Sequence, residues 1–221
     1  MAKPVVMAVI PAKNEQQTIS WVVEETKKRV NAVIVVNDGS EDMTKKLAAK
    51  AGAHVISHPV SMGAGAATST GLRYALIKGA DVIVTLDGDG QHDPAYLDPM
   101  LETFEDVDLL IGSRDMREGG FWRRLANGIL AWEISTLSGV KIADSQSGFR
   151  IYSRRAARVF VDEVTEWGYG WASESVLLIA RRGLRISEFP IKAKPHSGKK
   201  GTKWWDGFFI FYQALRAGLR R

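Results

Sequence analysis

The sequence predicts an α/β protein with a mostly parallel central sheet flanked by helices. Three observations carry this expectation. Short β-favouring runs alternate with segments of helical period, each run empties into a polar or glycine-bearing loop, and no fixed-period repeat or low-complexity tract breaks the alternation.

Pro4 to Ile10 reads as the first strand, Pro11-Ala12-Lys13-Asn14-Glu15 as its exit loop, and Ile19, Val22, Val23 and Val30 recur at helical spacing. Ala32 to Val36 is the second strand and ends in Asn37-Asp38-Gly39-Ser40. Ser40 is placed to cap a helix whose opening acids, Glu41 and Asp42, suit its positive end. Ala53 to Ser57 makes a short third strand, and the glycine-rich Met62 to Gly71 leads into a third helix ending near Lys78. The run Val82-Ile83-Val84-Thr85-Leu86 reads as a strand hidden on both faces. It discharges into Asp87-Gly88-Asp89-Gly90-Gln91-His92-Asp93-Pro94, whose proline suits the first turn of a helix reaching Phe104.

Val107 to Ile111 is the next strand, with Gly112-Ser113-Arg114 as its exit loop. A longer helical stretch, Phe121 to Leu137, then leads through Gly139 to Asp144-Ser145-Gln146-Ser147-Gly148-Phe149-Arg150. Helices over Arg154 to Asp162 and Glu174 to Arg182 precede a strand from Leu184 to Lys192. The predicted organisation is a main domain over 1–194, a mobile basic loop over 195–203 and an amphipathic helix over 204–221. That last helix sets Trp204, Phe208, Phe211, Tyr212, Leu215 and Leu219 on one face and ends in Arg216, Arg220 and Arg221. The pattern fits a helix lying in a membrane interface and equally one packed on its own domain.

Composition narrows the function classes. The 221 residues carry a net charge of +5 and no cysteine, so no disulfide framework or thiolate metal site exists. The N-terminal residues lack a signal-peptide apolar region, and no run approaches a membrane-spanning length. The basic excess is late: Lys192, Lys194, Lys199, Lys200, Lys203, Arg216, Arg220 and Arg221 face the single acid Asp206, which implies an anionic partner. Nucleic acid would account for the charge but not for the acidic loop, and it is ranked last.

Asp87 and Asp89 can place hard oxygens around a divalent cation that also holds a diphosphate, although an Asp/Gly turn without function has the same appearance. A calcium-loop reading fails because His92 stands at the sixth position, where glycine is expected. Asp38 can accept hydrogen bonds from a base or ribose. Gly63-Ala64-Gly65 follows the third strand, with Thr68 where the last glycine should be, which excludes a dinucleotide fingerprint.

Taken together, Pro11-Ala12-Lys13-Asn14-Glu15, Val36-Asn37-Asp38-Gly39-Ser40, the acidic loop 87–94, Gly112-Ser113-Arg114 and the loop 144–150 resemble family 2 glycosyltransferases. The resemblance is to the dolichol-phosphate mannose synthase and polyprenyl-phosphate glycosyltransferase group. It implies a GT-A fold, a nucleotide-diphosphate sugar donor, Mg2+ or Mn2+, inversion at the anomeric carbon and a polyprenyl or dolichyl phosphate acceptor. It further implies donor contacts from Pro11, Ala12, Glu15, Val36, Asp38, Asp87, Gly88, Asp89, Arg114 and Lys203, with Asp89 and Arg114 at the reacting groups. Metal ligands would be Asp87, Asp89 and Gln91, and acceptor-phosphate residues Ser147 and Arg150.

A lipid phosphate is already a nucleophile near neutral pH and needs no strong protein base. A saccharide hydroxyl would need one, with Glu174 or Asp144 as candidates. Glu174 could equally cap its helix. The sequence departs from mannose synthases at Gly170, where a lysine is common, and at the lid, where Ser197 takes the place of an arginine. GDP-mannose and UDP-glucose types of donor both stay open. The expected location is cytoplasmic and peripheral at the membrane, directly or through a membrane-protein partner. The alternatives are transfer to a saccharide hydroxyl and a catalytically silent nucleotide-sugar-binding subunit.

Overall fold

The computed structural model describes residues 3–114, 135–136, 139–168 and 170–192. The predicted Phe121 to Leu137 helix lies largely outside these residues, and the basic loop and C-terminal helix lie wholly outside them.

Seven strands form one sheet: β1 (Val6–Ala12), β2 (Ala32–Asp38), β3 (His54–His58), β4 (Val82–Thr85), β5 (Leu109–Arg114), β6 (Arg150–Ser153) and β7 (Ile186–Ile191), in the spatial order β3-β2-β1-β4-β6-β5-β7. The helices are α1 (Ile19–Lys27), α2 (Thr44–Lys50), α3 (Ala64–Ile77), α4 (Leu97–Glu102, after a 3-10 turn over Pro94–Tyr96), α5 (Arg154–Glu163) and α6 (Trp171–Arg181). All strand pairs are parallel except the two that β6 makes, with β4 and with β5.

Alternate residues of each strand explain why the sheet is covered on both faces. Val9, Ile34, Val36, Ile83, Leu109, Ile111 and Tyr152 enter one core with Leu72, Phe160 and Trp171 from α3, α5 and α6. Their neighbours Ala8, Ile10, Val33, Val35, Val84, Leu110 and Ile151 enter the other, with Ile19, Val22 and Val23 of α1 and Leu97 and Met100 of α4. Burying each large aliphatic side chain contributes roughly 1.5–3 kcal/mol, so the period-2 pattern fixes the register of the sheet. Helix α3 sits very close to β1. A Cβ on Gly71 would fall 2.2 Å from Val9 Cγ1, so a side chain there would force helix and sheet apart.

Three expectations change. Ser40 caps no helix: its hydroxyl accepts the Asn14 N–H at 3.0 Å, while Asp42 Oδ1 accepts the Thr44 N–H at 2.9 Å and α2 begins there. Gly112, Ser113 and Arg114 are strand rather than exit loop, because β7 continues alongside them in the pairs Gly112↔Phe189, Ser113↔Pro190 and Arg114↔Ile191. Strand β6 stands where the sequence pattern shows only the end of a loop. It is four residues long and begins with a charged residue.

The strand order reverses between β1 and β4. The chain leaves β1 toward β2 and β3 on one side and returns to β4 on the other, so the crevice at the carboxyl ends of β1 and β4 is the switch point where ligands bind in open α/β sheets.

Candidate active site

The acidic loop opens from β4 into that crevice. Gly88 packs against the β1 exit: a Cβ on it would lie 3.1 Å from Ala12 Cβ and 3.4 Å from the Pro11 carbonyl oxygen. Thr18 Oγ1 donates to the Gly88 carbonyl at 2.7 Å, tying the loop to the start of α1. Pro11 pairs with Val36 and Ala12 with Asn37, so the structure brings the Pro11, Ala12, Val36, Asp38 and Asp87–Asp89 positions to one edge. Val36 itself is fully buried, pointing toward Gly71. The Glu15 turn is laced to the β2 exit: the Glu15 N–H donates to Thr44 Oγ1 at 2.7 Å and the Glu41 N–H to Asn14 Oδ1 at 3.0 Å. Asn14 takes φ 56°, a left-handed conformation that asparagine tolerates.

Asp38 is a buried carboxylate with its oxygens engaged. It accepts from Ser61 Oγ at 2.8 Å, the Met62 N–H at 2.8 Å and the Gly63 N–H at 3.0 Å, and it meets His58 Nδ1 at 2.7 Å. Burial pushes its pKa up, but these bonds outweigh that effect and hold it below the ordinary carboxylate range. The result is a pinned segment over 61–63, leading into α3.

Asp87 is the opposite case. It is only half-buried, with 41% of its side-chain surface open to solvent, so a ligand can reach it. Burial, joined by repulsion from Asp89, pushes its pKa up against the pull of His92, Arg114 and Arg150. Gly148 of the 144–150 loop lies directly against it: a Cβ there would fall 2.8 Å from both Asp87 oxygens. Asp89 accepts the Gln91 N–H at 3.0 Å and the Gln91 side-chain amide, so for Gln91 to offer its oxygen to a cation that amide must turn over.

The donor set fits a hard divalent cation: two carboxylates of like charge and one amide, all at an open strand end. Among the described residues no three His, Cys, Asp or Glu side chains are grouped so as to hold a metal ion by themselves. A cation held by one or two carboxylates and completed by substrate phosphates needs none.

Arg114 ends β5 beside this loop, near enough to feel the charges of Asp87 and Asp89. Its Nε and Nη2 donate to Asp144 at 2.7 and 3.0 Å in a bidentate pair, and 29% of its side chain remains exposed. Asp144 in turn accepts the Arg114 and Gln146 N–H groups. Burial raises the Asp144 pKa, the Arg114 contacts lower it further than that, and the net position is below the usual range.

The loop 144–150 is turned inward. Arg150, with no exposed surface, donates through Nε to the Ser147 carbonyl at 2.7 Å and through Nη1 to Ser175 Oγ at 2.8 Å. Its Nη2 serves the Ser145 and Ala172 carbonyls, and its guanidinium lies 5.0 Å from the Trp171 ring centroid. Ser147 is buried as well, its hydroxyl accepting the Phe149 N–H at 3.3 Å, so neither side chain reaches the solvent side of the loop. Glu174 does not cap α6. It reaches back to accept from Thr165 N–H, Thr165 Oγ1 and Glu166 N–H at 3.0, 3.0 and 2.8 Å. Lys203 lies outside the described residues.

Two residues that the sequence pattern does not single out belong to the site. Glu188 of β7 accepts the Ala143 and Asp144 N–H groups at 2.9 Å each, fixing the carboxylate that fixes Arg114. His92, only 3% exposed, directs Nδ1 toward Asp87 Oδ2 at 3.6 Å and lies beside the Phe149 ring. A histidine directly after an Asp-x-Gln run is the one sequence signal that could have flagged it.

The glycosyl transferase family 2 model matches residues 7–164. A UDP-N-acetylglucosamine–dolichyl-phosphate N-acetylglucosaminyltransferase from Methanococcus voltae is 30% identical, the match covering 97% of this chain and 96% of that protein. An undecaprenyl-phosphate mannosyltransferase from Micrococcus luteus is 31% identical, over 97% and 98%. The crystal structure of glucosyl-3-phosphoglycerate synthase from Mycobacterium tuberculosis with Mn2+ and UDP-glucose superposes with a TM-score of 0.77 at 24% identity, covering 97% of this chain and 79% of that one. This places the fold with that of the GT-A enzymes.

Proposed function

Because the chain belongs to glycosyl transferase family 2, we propose that it moves one sugar from a nucleotide-diphosphate donor to a polyprenyl or dolichyl phosphate, with inversion at the anomeric carbon. The observation that carries this reading is the state of the two carboxylates a hydroxyl acceptor would need as bases. Asp144 is committed to Arg114 and Gln146, and Glu174 to Thr165 and Glu166, so neither is poised to take a proton. An acceptor that arrives as an anion requires no such base. Two relatives named for transfer to lipid phosphates support the same acceptor.

Pro11, Ala12 and Glu15 form one rim of the donor site, backed by Val36, and Asp38 contributes by pinning 61–63. Asp87, Gly88 and Asp89 face the diphosphate. Asp87, Asp89 and Gln91 would hold a Mg2+ or Mn2+, which would supply Lewis-acid stabilisation to the leaving nucleotide diphosphate. Arg114 keeps N–H groups beyond those given to Asp144, and its fixed charge favours anionic oxygens at the loop. Ser147 and Arg150 act from behind the acceptor loop by holding its shape, and the family resemblance adds Lys203 as a further donor contact. The membrane contact falls to the aromatic and basic C-terminal residues, at the cytoplasmic face. Among the described residues no helix is long and apolar enough to cross a membrane.

The test is a panel of GDP-mannose, UDP-glucose and UDP-N-acetylglucosamine with Mn2+, offered a short polyprenyl phosphate or a saccharide. Label in the lipid phosphate with one donor is the expected result. Label in the saccharide without any lipid would move the assignment to the hydroxyl-transferring alternative, and no turnover with any pair would favour a silent binding subunit.

A further inference from the structure

We propose that His92 is a positioning residue for the cation-binding carboxylate, its Nδ1–H steering Asp87 into the orientation that holds a divalent metal. The inference rests on the metal reading of the acidic loop given above.

The geometry is unusual for a histidine at rest. His92 is almost fully buried, yet Nδ1 has no hydrogen-bond partner. A buried polar atom without a partner is destabilising, and such atoms are uncommon in folded proteins. Asp87 Oδ2 lies 3.6 Å from it, about 0.4 Å beyond the usual N–H···O range. Phe149 holds the ring in place from one side, with centroids 5.5 Å apart. The Gly148 backbone stands against the Asp87 oxygens on one side, where a Cβ would fall 2.8 Å from both, and the His92 imidazole stands within 3.6 Å of Oδ2.

A carboxylate can only accept, so the tautomer that serves it carries the proton on Nδ1. With one Asp87 oxygen on a cation and the other on Nδ1–H, the unpartnered atom becomes satisfied and the carboxylate is locked. Outer partners of this kind tune metal affinity by orienting the ligand itself. The imidazole has no role in bond making or breaking.

The experiment titrates Mn2+, with and without UDP or GDP, into the full chain and follows loss of the free Mn2+ EPR signal, alongside thermal melts without metal. His92→Phe keeps the ring beside Phe149 and removes the donor. His92→Asn keeps an N–H near the Nδ1 position. The expected pattern is Mn2+ binding weakened about tenfold or more in His92→Phe, largely restored in His92→Asn, with the metal-free melting temperature of His92→Phe unchanged or raised. Wild-type affinity in His92→Phe overturns the assignment, as does equal weakening in both variants, which would mark a merely structural histidine. If His92→Phe loses its cooperative melt, His92→Leu against His92→Asn decides in the same way. A wild-type chain that takes up no Mn2+ would instead remove the metal reading beneath the inference.

Discussion

Asp38 and Asp87 each stand at the carboxyl end of a parallel strand, one strand apart across β1, and the protein treats them in opposite ways. Asp38 is closed in by His58, Ser61, Met62 and Gly63 and is held more acidic than usual. Asp87 is open, repelled by Asp89, held less acidic than usual, and faces a histidine nitrogen that has no partner. Both carry the same charge in similar motifs. What separates them is satisfaction: a carboxylate whose lone pairs are filled from within the chain is scaffold, and one left unbalanced at an open edge is prepared for a ligand.

The sharpest way to break this contrast is on the ligand side. On the proposed metal reading, Asp89→Asn removes one of the two carboxylates that would draw the cation, and a loss of several kcal/mol of Lewis-acid stabilisation is expected to lower kcat by about 10²–10³-fold. Steady-state transfer rates at saturating Mn2+ check this, and near-wild-type turnover would sink the metal assignment. Gly148→Ala comes next. Its methyl group would press on both Asp87 oxygens, and a displacement near 1 Å costs about 10²-fold in kcat/KM. The cooperative melt should survive, since the flexible end of Asp87 is what yields.

On the scaffold side the effects are smaller and appear in stability. Asp38→Asn replaces one acceptor oxygen by a donor facing donors, and chemical denaturation should show a loss of about 2 kcal/mol. The pH dependence sharpens the same point. A depressed folded-state pKa means that the Asp38 contribution is fully present above about pH 4 and is lost as pH falls through the folded value. The stability gap between wild type and Asp38→Asn therefore closes in acid. A gap that stayed constant to pH 2 would show that the carboxylate charge is not what holds 61–63.

Much of this was readable in the chain. Alternating strand and helix signals gave the sheet, and the β4 run with its Gly-punctuated acids marked a candidate cation-diphosphate loop. Strand β6 escaped because four residues headed by Arg150 look like solvated loop, whereas the arginine is buried by carbonyls contributed from Ser145, Ser147 and Ala172. Gly112 to Arg114 escaped because only β7, some 75 residues later in the chain, makes them strand. Glu188 was invisible for the same reason, and His92 was in view within the acidic loop but its role was not. Their meaning lies in partners that the fold supplies, the Ala143–Asp144 backbone for Glu188 and Asp87 for His92.

The most direct measurement of the contrast sets Asp87→Asn beside Asp38→Asn and records, for each, Mn2+ uptake and unfolding free energy. Asp87→Asn should lose Mn2+ uptake while remaining as stable as wild type or more so. Asp38→Asn should keep Mn2+ uptake and lose stability. If both variants lose metal alike, or if Asp87→Asn is the one that unfolds readily, the division between scaffold and site is wrong.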